Sequence, residues 1–213
     1  MKKVMVISGA SSGLGEYLAQ YFSESHEVVS IARRECQVEG VKSVLCDLSV
    51  PEEINRAVQS VERKYDHINV LINNAAFSDG KSLTESSVDA ITRSFQVNTI
   101  GPVLLTKGLL PLLKRPKTSN VIMINSIGGL KTKKNRVSYS GSKWGLTGAT
   151  KVLTEELKDE GIAVAGIYPA ALEKEMKTAT SREGAVEYGR IREVIETIVS
   201  ASFNGVISSV EIE

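Results

Sequence analysis

Tyr139 and Lys143, in the stretch "SYSGSKWG", carry the strongest chemical signal in the chain. Residues four apart at the head of a predicted helix share one face. An ammonium beside a phenol favours the phenolate, so Tyr139 becomes a usable proton donor or acceptor near neutral pH. Ser126 lies 13 residues before Tyr139, just after a predicted strand, where its hydroxyl can hold a carbonyl oxygen. Alone, a Tyr-x-x-x-Lys pair is usually an ordinary surface pair. An overlapping pattern, Ser140-x-x-Lys143, has the spacing of a β-lactamase nucleophile pair, but the Ser-Asp-Asn and Lys-Thr-Gly partners are missing from the sequence.

A second cluster lies near the N-terminus. "SGASSGLG" fits the G-x-S-x-G pattern of a hydrolase nucleophile elbow, with Ser11 as nucleophile. It also fits a glycine-rich phosphate cradle with Gly9, Gly13 and Gly15. The hydrolase reading needs a late histidine as base, and the only histidines are His26 and His67. A P-loop fails because no Gly-Lys-Ser/Thr follows. The cradle reading needs only glycines that let the backbone approach a pyrophosphate and a helix, starting near Leu14, whose free N–H groups and dipole face that anion. Ser11 and Ser12 then offer hydroxyls to phosphate. The next predicted strand ends in Ala32-Arg33-Arg34. A dinucleotide site that selects NAD often has an acid about 20 residues past the glycines, bonded to the ribose 2′-hydroxyl. Two arginines suit a 2′-phosphate instead, so the sequence predicts NADP(H) in preference to NAD(H).

The elements that must place these groups alternate along the chain. Strands are predicted at Lys3–Ser8, Glu27–Ala32, Val41–Cys46, Ile68–Asn73, Asn120–Asn125, Ile162–Tyr168 and Gly205–Ile212. Helices are predicted after the glycines, over Val50–Tyr65 with Ser49 as N-cap and Pro51 in its first turn, twice within Ser86–Arg115, over Tyr139–Asp159 and over Ala185–Ser202. Val- and Ile-rich strands separated by helices indicate a parallel sheet covered on both faces. The loosest stretch, Lys177–Arg190, is expected to act as a flap beside the substrate. The 213 residues suit one domain.

Bulk properties narrow the function. Charged residues make up 24% and the formal net charge is +1, which gives no field for nucleic acid or an anionic membrane. Two cysteines, Cys36 and Cys46, read as reduced thiols. No apolar run approaches the roughly 20 residues of a membrane helix, and "VMVI" is too short for a signal-peptide core. A cytoplasmic protein is expected. No metal-ligand spacing appears.

Taken together, the motifs resemble the short-chain dehydrogenase/reductase family. The carriers are the glycine loop Gly9–Gly15, "NNA" at Asn73–Ala75, "VNTIGP" with Asn98, Ser126, and "YSGSK" with Tyr139 and Lys143. The resemblance implies a doubly wound (Rossmann) seven-stranded parallel sheet in a single domain. It implies that Tyr139 is the general acid in carbonyl reduction and the base in alcohol oxidation. Lys143 would support it and bond the nicotinamide ribose, Ser126 would orient the substrate oxygen, and Asn98 would hold a relay water. Gly9, Ser11, Ser12 and Leu14 would line the phosphates. Asp47 and Leu48 would meet the adenine end, Asn74 would lie along the cofactor, and Pro169 and Leu172 would border the nicotinamide. The partner would be a small-molecule ketone, aldehyde or alcohol, and the family's two long helices would build a homodimer or homotetramer. Three positions depart from the family pattern: Ala76 and Ala170 replace glycines, and Lys174 stands where a threonine often contacts the carboxamide. A binding protein of the same fold that senses NADP(H) without turnover is the alternative reading.

Overall fold

The computed structural model describes residues 2–132, 134–172, 186–201 and 207–212. Seven parallel strands form one sheet in the order β3-β2-β1-β4-β5-β6-β7. They are β1 (Lys3–Ser8), β2 (His26–Ala32), β3 (Lys42–Leu45), β4 (Val70–Asn73), β5 (Ser119–Ile124), β6 (Ile162–Pro169) and β7 (Ser209–Ile212). The helices are α1 (Gly13–Ser23), α2 (Pro51–Glu62), α3 (Val88–Phe95), α4 (Gly101–Leu113), α5 (Val137–Leu157) and α6 (Tyr188–Ser200). The chain moves outward one way from β1 to β3, then returns to β4 beside β1 and moves the other way. Its strand ends therefore diverge between β1 and β4, the place where open α/β sheets bind ligands.

The apolar strands divide their side chains by the period of two. Val4, Val6, Leu71, Val121 and Met123 face one core with α2, α4 and α5. Met5, Ile7, Ile72, Ile122 and Ile124 face the other with α1 and α6. Alternate residues thus enter different cores, which is why these strands read as unbroken apolar runs. On α6 the buried Ile191, Ile195 and Ile198 recur at helical spacing, as do Leu14, Leu18 and Phe22 on α1.

Two elements differ from expectation. Ser49 does not cap α2: Val50 holds that position and makes no side-chain cap bond. The Ser49 N–H and hydroxyl both donate to Asp47 Oδ1, at 2.9 and 2.7 Å, because a carboxylate two residues back is the stronger acceptor. Pro51 in the first turn has no N–H to satisfy. The two helices expected within 86–115 are joined without a break by a π-helical turn, Gln96–Ile100. Pro102 lacks the N–H that would close an α-helical turn on the Asn98 carbonyl, and the backbone widens so that Gly101 N–H reaches Gln96 O. Of the expected flap, residues 177–185 lie outside the described residues. Its end is part of the fold: Val186 is buried and bridges Leu172, and Tyr188–Arg190 open α6.

Gly108 marks where α4 meets α2. A Cβ there would lie 2.6 Å from Val58 Cγ2, a stiff β-branched side chain. Glycine-to-alanine inside a helix ordinarily stabilises by up to about 1 kcal/mol. Here Gly108→Ala is expected to lose about 1–3 kcal/mol by overpacking, read as a lower urea midpoint. Val58→Ala in the same chain should recover part of that loss.

Candidate active site

The chain's tightest turns meet at the divergence of β1 and β4. Gly9 has φ +73°, and a Cβ there would lie 2.8 Å from Ala75 Cα. A Cβ on Gly15 would lie 2.4 Å from Gly9 O. Neither position has room for a side chain, so the glycine loop lies flat against the end of β4. Ser8 and Asn74 fasten it there. Ser8 Oγ accepts the N–H groups of Asn74 and Ala75, both at 3.0 Å, and Asn74 Nδ2 donates to Ser8 O at 2.9 Å. Ser12 is the N-cap of α1 but makes no side-chain cap bond. The first amides of α1 therefore lack the usual capping partner and face the loop.

Above this floor lies a cleft of about 290 Å³. Gly9, Ser11, Ser12, Leu14, Arg33, Arg34, Asp47, Leu48, Asn74 and Leu172 all line it. Pro169 is buried at the end of β6 and does not line it. Arg33 and Arg34 are exposed and form no salt bridge among the described residues. Cys46 also lines the cleft, but burial, reinforced by Glu53 and Asp47, pushes its thiol up to about 12, so it is no nucleophile. Burial alone would raise the Asp47 carboxyl. Hydrogen bonds from Ser49 and Arg93 outweigh that and hold it below the usual carboxylate range. The cleft thus fits a dinucleotide: open amides for a pyrophosphate, and unpaired guanidiniums at one end for a further anion.

Tyr139 and Lys143 on α5 and Ser126 at the β5–α5 junction are the acid–base group expected from the sequence. Lys143 is 1% exposed, and its Nζ donates to Ile124 O at 2.9 Å. The ammonium lies 6.0 Å from the Tyr139 ring centroid. Arg136 approaches the same ring at 6.0 Å. Asn125 bolts the junction in place: its Nδ2 donates to Thr147 Oγ1 at 2.9 Å and its Oδ1 accepts Ser126 N–H at 3.0 Å. A Cβ on Gly128 would lie 3.4 Å from Ser126 Oγ and 3.5 Å from Tyr139 Cε1, so these two groups border one small space. Ser126 Oγ accepts Gly128 N–H at 3.1 Å, which turns its hydroxyl hydrogen away from the backbone.

Asn98 is fully buried, and both its amide hydrogens and its side-chain oxygen are bonded. Nδ2 donates to Phe77 O at 2.8 Å and to Ser142 Oγ at 2.9 Å, and Oδ1 accepts Phe77 N–H at 2.7 Å. It clamps the loop after β4 to α5. Pro102 leaves the Asn98 backbone carbonyl without an α-helical donor.

Ala76 lines the cleft and Ala170 follows β6, while Lys174 lies outside the described residues. Among the cleft residues that sequence reasoning missed are Phe77 and Arg93. Arg93 Nη2 donates to Asp47 Oδ2 at 2.6 Å, and its guanidinium lies 5.6 Å from the Phe77 ring centroid. A partner 46 residues away leaves no periodic mark in a sequence.

Residues 3–184 match the family model described as short chain dehydrogenase. The chain belongs to the short-chain dehydrogenase/reductase family. A dehydrogenase/reductase SDR family protein 7-like from Drosophila melanogaster is 30% identical over 207 residues, covering 90% of this chain and 64% of that protein. Among solved structures, 4-hydroxyisoleucine dehydrogenase complexed with NADH superposes with a TM-score of 0.89 at 26% identity, covering 99% of this chain and 96% of that one. A metagenomic short-chain oxidoreductase in complex with NADP gives 0.84 at 26% identity, covering 99% and 96%. This family member spans a little under two thirds of the length of relatives such as the Drosophila protein. Among the described residues no helix is long and apolar enough to cross a membrane.

Burial lowers the Lys143 ammonium from 10.5 to about 8. Between those values the unfolded chain keeps the proton and the folded chain does not, so stability rises with pH. The contribution is fully present above the unfolded value and lost as pH falls through about 8. Ligand-free wild type should therefore gain on Lys143→Met between pH 8 and 10.5, by on the order of 3 kcal/mol. Urea unfolding of both proteins across that range measures it; a difference that does not change with pH contradicts the burial effect.

Proposed function

We propose that this chain is an NADPH-dependent oxidoreductase that reduces a ketone or aldehyde of a small molecule, or runs the reverse alcohol oxidation. One observation carries the reading: Tyr139, Ser126 and the sealed Lys143 ammonium share the strand-end edge with a glycine-floored cleft. The nicotinamide, when bound, supplies or accepts the hydride. Tyr139 gives its phenolic proton to the carbonyl oxygen, or takes it back in oxidation. Ser126 donates its free hydroxyl hydrogen to the same oxygen, since its lone pair already accepts Gly128 N–H. Lys143 has three donor hydrogens and spends one on Ile124 O. The others serve the Tyr139 phenolate and the nicotinamide ribose. The Asn98 carbonyl holds the water that returns the proton from solvent. Gly9, Ser11, Ser12 and Leu14 hold the pyrophosphate on the α1 amides. Asn74 and Leu172 lie along the dinucleotide, with Pro169 behind Leu172, and Asp47 and Leu48 receive the adenine.

The cofactor preference rests on Arg33 and Arg34. Structural neighbours carry NADH in one case and NADP in another. Here two guanidiniums without salt-bridge partners among the described residues stand where an acid would favour NADH. The proposed enzyme is cytoplasmic and acts on a small molecule; its near-zero net charge gives no field for nucleic acid or an anionic membrane. The side chains of Phe95, Ile100, Trp144 and Val152 are exposed apolar groups on or beside α4 and α5. They support a homodimer or homotetramer formed through those helices, and light scattering that returns a monomer rejects that assembly.

The test is NADPH oxidation against a panel of carbonyl compounds. Tyr139→Phe should cut kcat by about 10²–10⁴ while the Kd for NADPH, from nicotinamide fluorescence, stays within a few-fold. Arg33→Ala should raise the NADPH Kd about tenfold, the loss expected for a charged hydrogen bond, and leave that for NADH unchanged. Folded protein that binds NADPH and turns over nothing on the panel would instead be a sensor.

A further inference from the structure

A second pocket, of about 400 Å³, opens at the head of α5, beside the turn that carries Tyr139. Among the described residues, Arg136 is the one charged side chain that lines it. Arg136 is exposed and is the N-cap residue of α5, and its side chain makes no cap bond. Its guanidinium lies 6.0 Å from the Tyr139 ring centroid and meets no carboxylate among the described residues. Asn135, at φ +59°, makes the turn that leads Arg136 into the helix, a conformation asparagine tolerates. Leu83, from the loop after β4, forms part of the wall. The acids of that loop are engaged: Asp79 accepts from the Ser86 and Ser138 hydroxyls at 2.7 and 3.2 Å, and Glu85 from that of Ser82 at 2.6 Å. Lys131 and Lys134 precede Arg136 in the chain and add to the positive field around the pocket without lining it.

Ser140 ties this pocket to the reacting groups. It lines the pocket and is 8% exposed, and its hydroxyl is buried with no partner among the described residues. Ser140 Oγ lies 3.5 Å from where a Cβ on Gly128 would stand, as does Tyr139 Cε1, with Ser126 Oγ at 3.4 Å. The pocket therefore borders the small space in which Ser126 and Tyr139 would hold a carbonyl oxygen. A buried hydroxyl left unmet is costly, which marks Ser140 as a donor for a ligand group. Leu83 and Val137 supply an apolar wall. A permanent cation, an unmet hydroxyl and an apolar wall beside the carbonyl space fit a partly apolar carbonyl compound with an anionic end. We propose that Arg136 is a specificity-determining residue that selects oxo-carboxylates, with the carboxylate a few bonds from the reacting carbonyl. The inference deepens the oxidoreductase reading above and rests on it. The carboxylate takes the guanidinium fork while the carbonyl oxygen takes Ser126 and Tyr139. One lining guanidinium offsets the single charge of a carboxylate, whereas a phosphate brings about −1.5 to −2.

The test measures kcat/KM of wild type, with NADPH, for 2-oxo, 3-oxo, 4-oxo and 5-oxo carboxylates, each paired with its methyl ester. At least one acid should exceed its ester about tenfold, the scale of one charged hydrogen bond. Arg136→Met should lower kcat/KM for that acid about tenfold more than for its ester, through KM rather than kcat. Arg136→Lys, which keeps the charge but not the fork, should retain part of the preference. Trp144, the chain's only tryptophan and a member of the proposed helix interface, lines the same pocket, so its fluorescence with NADP⁺ present reads binding without turnover. Acids should change it at lower concentration than their esters, and Arg136→Met should remove that difference. Wild type that treats every acid and its ester alike in both measurements, which needs no variant to fold, overturns the proposal. So does an acid preference kept in full by Arg136→Met, or an oxo phosphate preferred to every oxo-carboxylate. Turnover of neutral carbonyl compounds with no preference for acids rejects this inference and leaves the oxidoreductase reading standing. Acid binding seen at Trp144, lost in Arg136→Met and accompanied by no turnover, keeps the carboxylate site and rejects the oxidoreductase reading.

Discussion

A lysine ammonium sealed under the edge of the sheet is the constraint around which this site is built. Lys143 is 1% exposed, and its Nζ donates to the carbonyl of Ile124. Burying a cation is costly unless surrounding groups receive it. The fold keeps it there because it also holds the turn above: the Ile124 carbonyl ends β5, and Asn125 and Thr147 lock the next residues to α5. Gly129 permits this contact, since a Cβ there would meet Lys143 O at 2.7 Å. The same bonds that bury the charge therefore bring Ser126 to Tyr139.

The two ends of the cleft are mechanically linked. Asn98 and Arg93 sit on either side of the start of the π turn that Pro102 imposes. Asn98 grips the backbone of Phe77 and the helix that carries Lys143, while Arg93 lies over the ring of Phe77 and bonds Asp47. A regular α-helix through this stretch would rotate one of them out of register. The π turn keeps one facing α5 and the other facing β3. Such turns often mark functional sites, and here a single proline gives the reason.

Much of this was legible in the chain itself. Seven apolar runs spaced by helical stretches specify a two-faced parallel sheet, because each strand must bury both sides. Gly9 and Gly15 announce a loop with no room for side chains, and the structure shows backbone atoms within 3 Å of where each Cβ would sit. Tyr139 and Lys143 share a face by helical period alone. Boundaries were less legible. Ser49 reads as a cap by residue type, yet Asp47 takes its hydroxyl. The competition between two acceptors is decided by backbone geometry, not by composition.

What the sequence determined by itself is local and periodic: which segments are strands, where the backbone must turn tightly, and which phenol and ammonium share a helix face. These follow from covalent structure and repeat spacing. Only the tertiary structure decided the long-range pairings. Arg93 meets Asp47 across 46 residues, and the Asn98 side chain bonds Phe77 and Ser142. The depth at which Lys143 is buried was decided there too, since burial is set by the packing of separate elements and has no period along the chain.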